Sequence, residues 1–210
     1  AICVIVVNYK FFNVGFLGIL FFPALPVFIA GRLFIDREIH RYLEEKKIKQ
    51  NVHASAVVIV TYPDRTGWKG WLKPNVEKKQ IELIIEYFKL RKRDVSFYLH
   101  ATFEDVKSIM YDQDVKEVCF FGHGDSHTFR LTSKQDLFYC DFKDSKYTKE
   151  FVHQIHCGDK EGEGHRLINY VVPTQNQELC IWFNKQVTGH KIEKEFKQRI
   201  KRLKRGEKEI

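Results

Sequence analysis

Short apolar runs alternate with helical patterns in the middle of the chain, and this alternation limits the folds that it can adopt. Residues 56–60, 95–99 and 115–121 are short, apolar and rich in β-prone side chains, as buried strands are. Residues 78–90 and 102–111 carry apolar side chains at helical spacing. A strand–helix–strand–helix–strand order predicts a mainly parallel sheet with helices on its faces. We therefore expect an α/β protein.

The third of these strands stops abruptly at Gly122-His123-Gly124. Downstream, a fourth strand is predicted at residues 154–157, led in by a helical stretch at 148–152, and it ends in Cys157-Gly158. Between the two, residues 129–131 and 137–142 indicate a small hairpin or excursion. After Cys157 we expect a helix near 165–170, a further strand at 179–183 and a terminal helix at 191–204.

A histidine and a cysteine thus follow two strands of the predicted sheet. Neighbouring parallel strands bring their carboxyl ends to the same edge, where ligands and catalytic groups of such sheets lie. A thiol attacks carbonyl groups as the thiolate, and a nearby histidine can take its proton. Backbone N–H groups beside Gly124 and Cys157 would be placed to stabilise a developing oxyanion. This pattern favours a Cys157/His123 dyad.

At these residues the sequence resembles the caspase-like (clan CD) cysteine peptidase superfamily, which includes clostripain and the bacterial CHAT proteases. The resemblance rests on Phe-Phe-Gly-His-Gly at 120–124, on His-Cys-Gly at 156–158 and on the order of strands and helices. It implies a caspase-like sheet flanked by helices, with His123 as general acid/base, Cys157 as nucleophile and Gly124 as an oxyanion-hole amide. It also implies a protein or peptide substrate, no cofactor, and regulation by a partner or ligand. His156 departs from the family, which commonly has a small residue there.

Substrate preference in that superfamily comes from a charged pocket. Asp125 and Asp159 are our candidates for binding a basic substrate side chain, and Asp141 is a third acidic candidate. Arg130 would instead suit an acidic side chain. Loop charges of this kind are usually solvated, and the spacing does not choose among these readings.

The N-terminal part of the chain predicts a membrane anchor. Residues 11–30 form an uncharged run, and about 20 residues suffice for a helix to cross a bilayer. We divide the chain into an anchor (1–31), a juxtamembrane helix (32–50) and a caspase-like domain (51–210). Basic residues follow the anchor at once, from Arg32 onward, and such residues favour the cytoplasmic side. The five cysteines form no CxxC pair, which suits a reducing compartment.

The sequence also allows functions other than a peptidase. The net charge of +8 lies mainly beside the anchor and in the tail, with no nucleic-acid-binding motif. Zinc could use His153, His156, Cys157 and His165, but His153 and His156 are three apart and would face opposite sides of a strand. No metal site is therefore assigned. The remaining alternative is a catalytically silent or ligand-sensing Rossmann-like domain in a membrane-bound assembly or signalling subunit, although the chain has no GxGxxG or P-loop motif.

Overall fold

The computed structural model describes residues 38–48, 50, 53–61, 77–125, 127–132, 135–158, 172–183 and 187–207. The expected anchor, Asp159 and the helix expected near 165–170 lie outside these residues. Within the described part of the chain, no helix combines the length and the apolar character that a bilayer crossing requires.

A four-stranded parallel sheet lies at the centre of the protein. Its strands are β1 (Ala56–Val60), β2 (Val95–Tyr98), β3 (Glu117–Phe121) and β6 (Phe151–Ile155), in the order β2-β1-β3-β6. A separate antiparallel hairpin of β4 (Thr128–Arg130) and β5 (Asp136–Phe138) is inserted between β3 and β6 and continues into a 3-10 turn at Tyr139–Phe142. The predicted α/β class with a mainly parallel sheet is confirmed.

All residues of the four sheet strands are buried, because helices or loops cover both faces of the sheet. Four helices are described: α1 (residues 38–45), α2 (Lys78–Leu90), α3 (Phe103–Met110) and α4 (Gly189–Lys204). Alternate strand side chains point to opposite faces. One face packs with α1, α2 and α4, and the other packs with α3 and the hairpin. The result is a three-layered α/β/α arrangement.

Two sequence-based expectations about the later elements were wrong. The fourth sheet strand begins at Phe151 rather than 154, and the stretch at 148–152 that leads into it is not helical. The N–H groups of Lys149 and Glu150 instead donate to the carbonyls of Pro173 and Lys116, so this backbone extends across neighbouring segments. The strand expected at 179–183 is a 3-10 turn at Gln177–Leu179 followed by a single bridge residue that pairs with β6.

Candidate functional site

The register of the sheet brings the His123 and Cys157 segments together. Strands β3 and β6 are adjacent and parallel, and their last pair joins Phe121 to Ile155. The N–H of Gly122 adds one further bond, 3.1 Å from the Ile155 carbonyl oxygen. His123 and Cys157 each stand two residues beyond that last pair. They therefore leave the same carboxyl edge of the sheet from neighbouring strands, as the sequence predicted.

The turn that carries His123 is held by the end of β1. Gly122 has φ +142°, a conformation that side chains other than glycine rarely adopt. A Cβ there would lie 2.5 Å from both Cβ and Oγ1 of Thr61. The N–H of His123 donates to the same Thr61 hydroxyl at 3.0 Å. Glycine at 122 thus lets the chain turn closely around Thr61, and the His123 side chain is left exposed.

The β3–β6 ladder ends between Gly122 and Cys157, and Gly124 follows in a bridge to Phe129. The next rung would join the Cys157 N–H to the Gly122 carbonyl, and that bond is not formed. Among the described residues, neither the Cys157 N–H nor the Gly124 N–H donates to a backbone carbonyl. Unsatisfied backbone donors are uncommon unless solvent or a ligand uses them. Two such donors beside a thiol and an imidazole match the parts of an oxyanion hole.

Cys157 itself is half-buried, and its sulfur faces the start of α4. The Val187 N–H lies 3.4 Å from Sγ and donates to it. The other described cysteines occupy different environments. Cys119 and Cys180 are buried, and burial raises the pKa of the Cys119 thiol. Cys140 is exposed and lies in the 3-10 turn at Tyr139–Phe142.

His156, directly before Cys157, is buried, and both of its ring nitrogens have hydrogen-bond partners. Its Nδ1 is 2.8 Å from the carbonyl oxygen of Cys157, and its Nε2 is 2.5 Å from the hydroxyl of Tyr139. A carbonyl oxygen only accepts, so Nδ1 carries the proton and Nε2 accepts from the tyrosine. Burial raises the pKa of Tyr139 well above its ordinary value, which keeps the phenol protonated.

The charged residues expected to bind substrate have different surroundings. Asp125 accepts the N–H groups of His127 at 2.9 Å and Thr128 at 2.7 Å through Oδ1, and so holds the turn before β4. Burial opposes the ionisation of Asp125, yet these bonds hold its pKa below the ordinary value. Arg130 is exposed and paired with Asp136. Asp125 is also exposed, and it lies two residues after His123.

The histidines considered as zinc ligands do not converge. The His153 ring packs against Tyr87 and Phe88 of α2, with centroids 6.1 and 6.5 Å away. The His156 ring packs against Phe129, on the opposite face of the sheet. The alternation argument from the sequence is therefore confirmed for this pair.

One cluster of metal-ligating groups does occur in the described part of the chain. Atoms of His53, Asp112 and Asp114 lie within 4.8 Å of one another. His53 precedes β1 and the two aspartates precede β3, so the cluster lies at the amino edge of the sheet. It is distant along the strands from His123 and Cys157, and most of it is exposed.

The sequence patterns did not predict two of the residues at the site, Thr61 and Tyr139. Thr61 follows β1 directly, and a hydroxyl at the end of a strand next to β3 was a usable signal for it. Tyr139 gave no signal, because it lies 17 positions before His156 and its contact depends on the fold of the inserted hairpin. Comparison with models of protein families and with curated protein sequences finds no match for the chain.

Proposed function

We propose that this chain is a membrane-anchored, caspase-like cysteine peptidase that hydrolyses peptide bonds through Cys157 and His123. The observation that carries the proposal is the register of β3 and β6, which sends both residues out of the same sheet edge from adjacent parallel strands. The strand order β2-β1-β3-β6 supports it, since the His123 strand lies between the first strand and the Cys157 strand. The N–H groups of Gly124 and Cys157, which donate to no backbone carbonyl in the described part of the chain, support it further.

The reaction follows from these parts. His123 takes the proton of the Cys157 thiol, and the sulfur forms a bond to the carbonyl carbon of the scissile peptide. The carbonyl oxygen becomes an oxyanion that accepts the N–H groups of Gly124 and Cys157. Collapse breaks the carbon–nitrogen bond, and the amine leaves with the proton from His123. Water, deprotonated by His123, then hydrolyses the thioester and restores the thiol.

The proposal also includes regulation of the Cys157 thiol and attachment of the domain to a membrane. The Val187 N–H holds the sulfur of Cys157 against the segment before α4. A partner or ligand that displaces this segment would free the thiol to turn toward His123. The anchor proposed at residues 11–30 would place the domain at the cytoplasmic face of a bilayer, with the peptide substrate on that side.

The test uses a library of peptidyl chloromethyl ketones with varied side chains before the ketone, from which the thiolate displaces chloride to form a stable thioether, followed by peptide mapping. We expect covalent labelling of Cys157 in the full chain. His123→Ala should slow labelling by about 10²-fold or more, because general-base assistance is lost. Cys140→Ala is the matched control, since Cys140 is an exposed thiol in the 3-10 turn and does not follow a strand of the sheet. It should leave the labelling rate unchanged.

Two outcomes would overturn the peptidase proposal. One is labelling confined to Cys140 in the wild-type chain. The other is peptide cleavage that persists at the wild-type rate in Cys157→Ala. Either result would favour the silent or ligand-sensing domain instead.

A further inference from the structure

The side chain that precedes Cys157 contacts both segments of the proposed site. His156 is bound to the Cys157 carbonyl oxygen through Nδ1, at 2.8 Å. Its ring also lies against the other segment: a Cβ on Gly124 would meet Nδ1 at 2.8 Å and Cε1 at 3.0 Å. The imidazole therefore fills the space between the backbone of Gly124 and the backbone of Cys157. Both residues have an N–H that donates to no backbone carbonyl among the described residues.

The ring is fixed by its surroundings. The Tyr139 hydroxyl donates to Nε2 at 2.5 Å, and the two ring centroids are 6.0 Å apart with an interplanar angle of 28°. The Phe129 ring packs against it at 5.7 Å. His156 is fully buried, so both polar atoms of its ring need partners. Only the Nδ1-protonated tautomer satisfies the Tyr139 hydroxyl and the Cys157 carbonyl together.

We propose that His156, oriented by the Tyr139 hydroxyl, is a positioning residue that sets the placement of Cys157 relative to the Gly122–Gly124 turn. This inference rests on the proposed peptidase function and deepens it. Binding the Cys157 carbonyl fixes the backbone dihedral angles of Cys157, and hence the direction of its side chain. The same ring lies against Gly124 and so sets the distance between the N–H donors of Gly124 and Cys157.

The expected loss of rate depends on how sensitive the reaction is to the position of the Cys157 thiol. Errors of about 1 Å in a reacting geometry cost on the order of 10²-fold in rate. Substrate binding away from the reacting atoms does not depend on this ring. Loss of the hydrogen bond between His156 and the Cys157 carbonyl should therefore lower kcat while KM changes little.

The first test variant is Tyr139→Phe, which removes one hydroxyl and keeps the ring. With a peptide amide of the sequence that labels fastest in the ketone library as substrate, we expect kcat to fall by about tenfold to hundredfold, with KM within about threefold of the wild-type value. Tyr87→Phe is the control, because Tyr87 is another fully buried tyrosine, on α2, and lies on the opposite face of the sheet. It should leave kcat unchanged.

A second pair of variants separates positioning from folding. His156→Asn keeps a side-chain N–H donor near the position of Nδ1, whereas His156→Leu has similar bulk and no donor. We expect His156→Asn to recover a large part of the kcat lost in His156→Leu. Equal activity in the two variants, or activity that simply follows their thermal stability, would assign His156 a structural role only.

Nitrogen NMR of the His156 ring gives a readout that needs no substrate. The wild-type ring should show a protonated Nδ1 and an unprotonated Nε2, and Tyr139→Phe should alter this pattern. The opposite tautomer in the wild-type chain contradicts the inference directly. If wild-type Cys157 is not labelled by the ketone library, the peptidase proposal fails and the positioning role fails with it. If it is labelled and all His156 and Tyr139 variants are labelled at the wild-type rate, only the positioning role fails.

Discussion

The backbone N–H of His123 donates to the hydroxyl of Thr61 at 3.0 Å, although the two residues are 62 positions apart. The Thr61 N–H in turn donates to the Phe121 carbonyl at 2.9 Å. The end of β1 and the end of β3 are therefore bonded to each other in both directions. The proposed general base is carried by a turn that a neighbouring strand supports.

Replacing Thr61 with valine should weaken this support. Valine keeps the branched shape and removes the hydroxyl, so the partly buried N–H of His123 loses its acceptor. We expect a loss of about 1–3 kcal/mol in the free energy of unfolding, measured by urea titration. Thr61→Ser keeps the hydroxyl and should retain most of the stability. Equal stability of the valine and serine variants would contradict the assigned hydrogen bond.

A glycine-to-alanine pair separates backbone strain from steric clash. Gly122→Ala should cost roughly 2–5 kcal/mol, because φ is +142° and the new Cβ would meet Thr61 at 2.5 Å. Gly206→Ala also has a positive φ, +78°, but its Cβ would meet nothing within 4 Å. It should cost only about 1–2 kcal/mol. Thermal or urea unfolding of both variants measures the difference, and a larger cost at Gly206 would contradict the tight turn around Thr61.

A buried lysine closes the amino edge of the sheet. The Nζ of Lys149 donates to the carbonyl oxygens of Ile109, Asp112 and Val115, at 3.1, 2.5 and 3.0 Å. Burial lowers the pKa of Lys149 to about 8, but three acceptors use all three N–H bonds of the charged form. Lys149 is therefore expected to be protonated at neutral pH.

Lys149→Met should destabilise the fold by roughly 3–5 kcal/mol, because three carbonyl groups lose their donor together. Lys146→Met is the matched control, since Lys146 is an exposed lysine only three positions earlier. It should change the free energy of unfolding by less than about 0.5 kcal/mol. Similar losses in the two variants would show that the buried contacts contribute nothing particular.

Stability should fall at mildly acidic pH because of His153. Its Nδ1 accepts the Ile181 N–H at 2.9 Å, and its Nε2 lies 3.7 Å from a carboxylate oxygen of Glu117. Burial lowers the pKa of His153, so the unfolded chain binds this proton more readily than the folded one. The contribution of neutral His153 to stability is fully present above about pH 6.5, the ordinary pKa of histidine. It is lost as the pH falls toward the lowered pKa of the folded chain.

Urea unfolding at a series of pH values between 5 and 8 tests this assignment. His153→Gln should flatten the dependence below pH 6.5, because glutamine does not titrate. His190→Gln removes an exposed histidine of α4 and should leave the curve unchanged. The assignment is contradicted if the His153→Gln curve keeps the wild-type slope.

Local patterns were sufficient to predict the regular elements around the site. The bounds of β1 and α2 agree with the apolar runs at 56–60 and 78–90, because each is a continuous buried or amphipathic segment. The helical pattern at 102–111 agrees with α3 and its cap, where Thr102 and Asp105 exchange the two bonds of a capping box. These features depend only on neighbours in the sequence.

Contacts between distant segments were not predictable in the same way. The start of β6 was misplaced, because Lys149 and Glu150 bond to backbone groups of other segments rather than following their own propensity. His156 looked like a departure from a family pattern or a zinc candidate, and its actual partners are Tyr139 and the Cys157 carbonyl. The residues that bear the proposed chemistry were found from strand ends, whereas the residues that hold them were not.

The hairpin inserted between β3 and β6 restricts how the crossover between these strands could be changed. Tyr139 and Phe129 both come from this insertion, and both contact the imidazole of His156. A chimaera that keeps residues 117–125 and 151–158 but receives another connection between them would retain His123, Cys157 and their glycines. It would nevertheless lack the hydroxyl and the aromatic ring that orient His156. The connection between the two strands is therefore part of the site, and it cannot be exchanged as a passive linker.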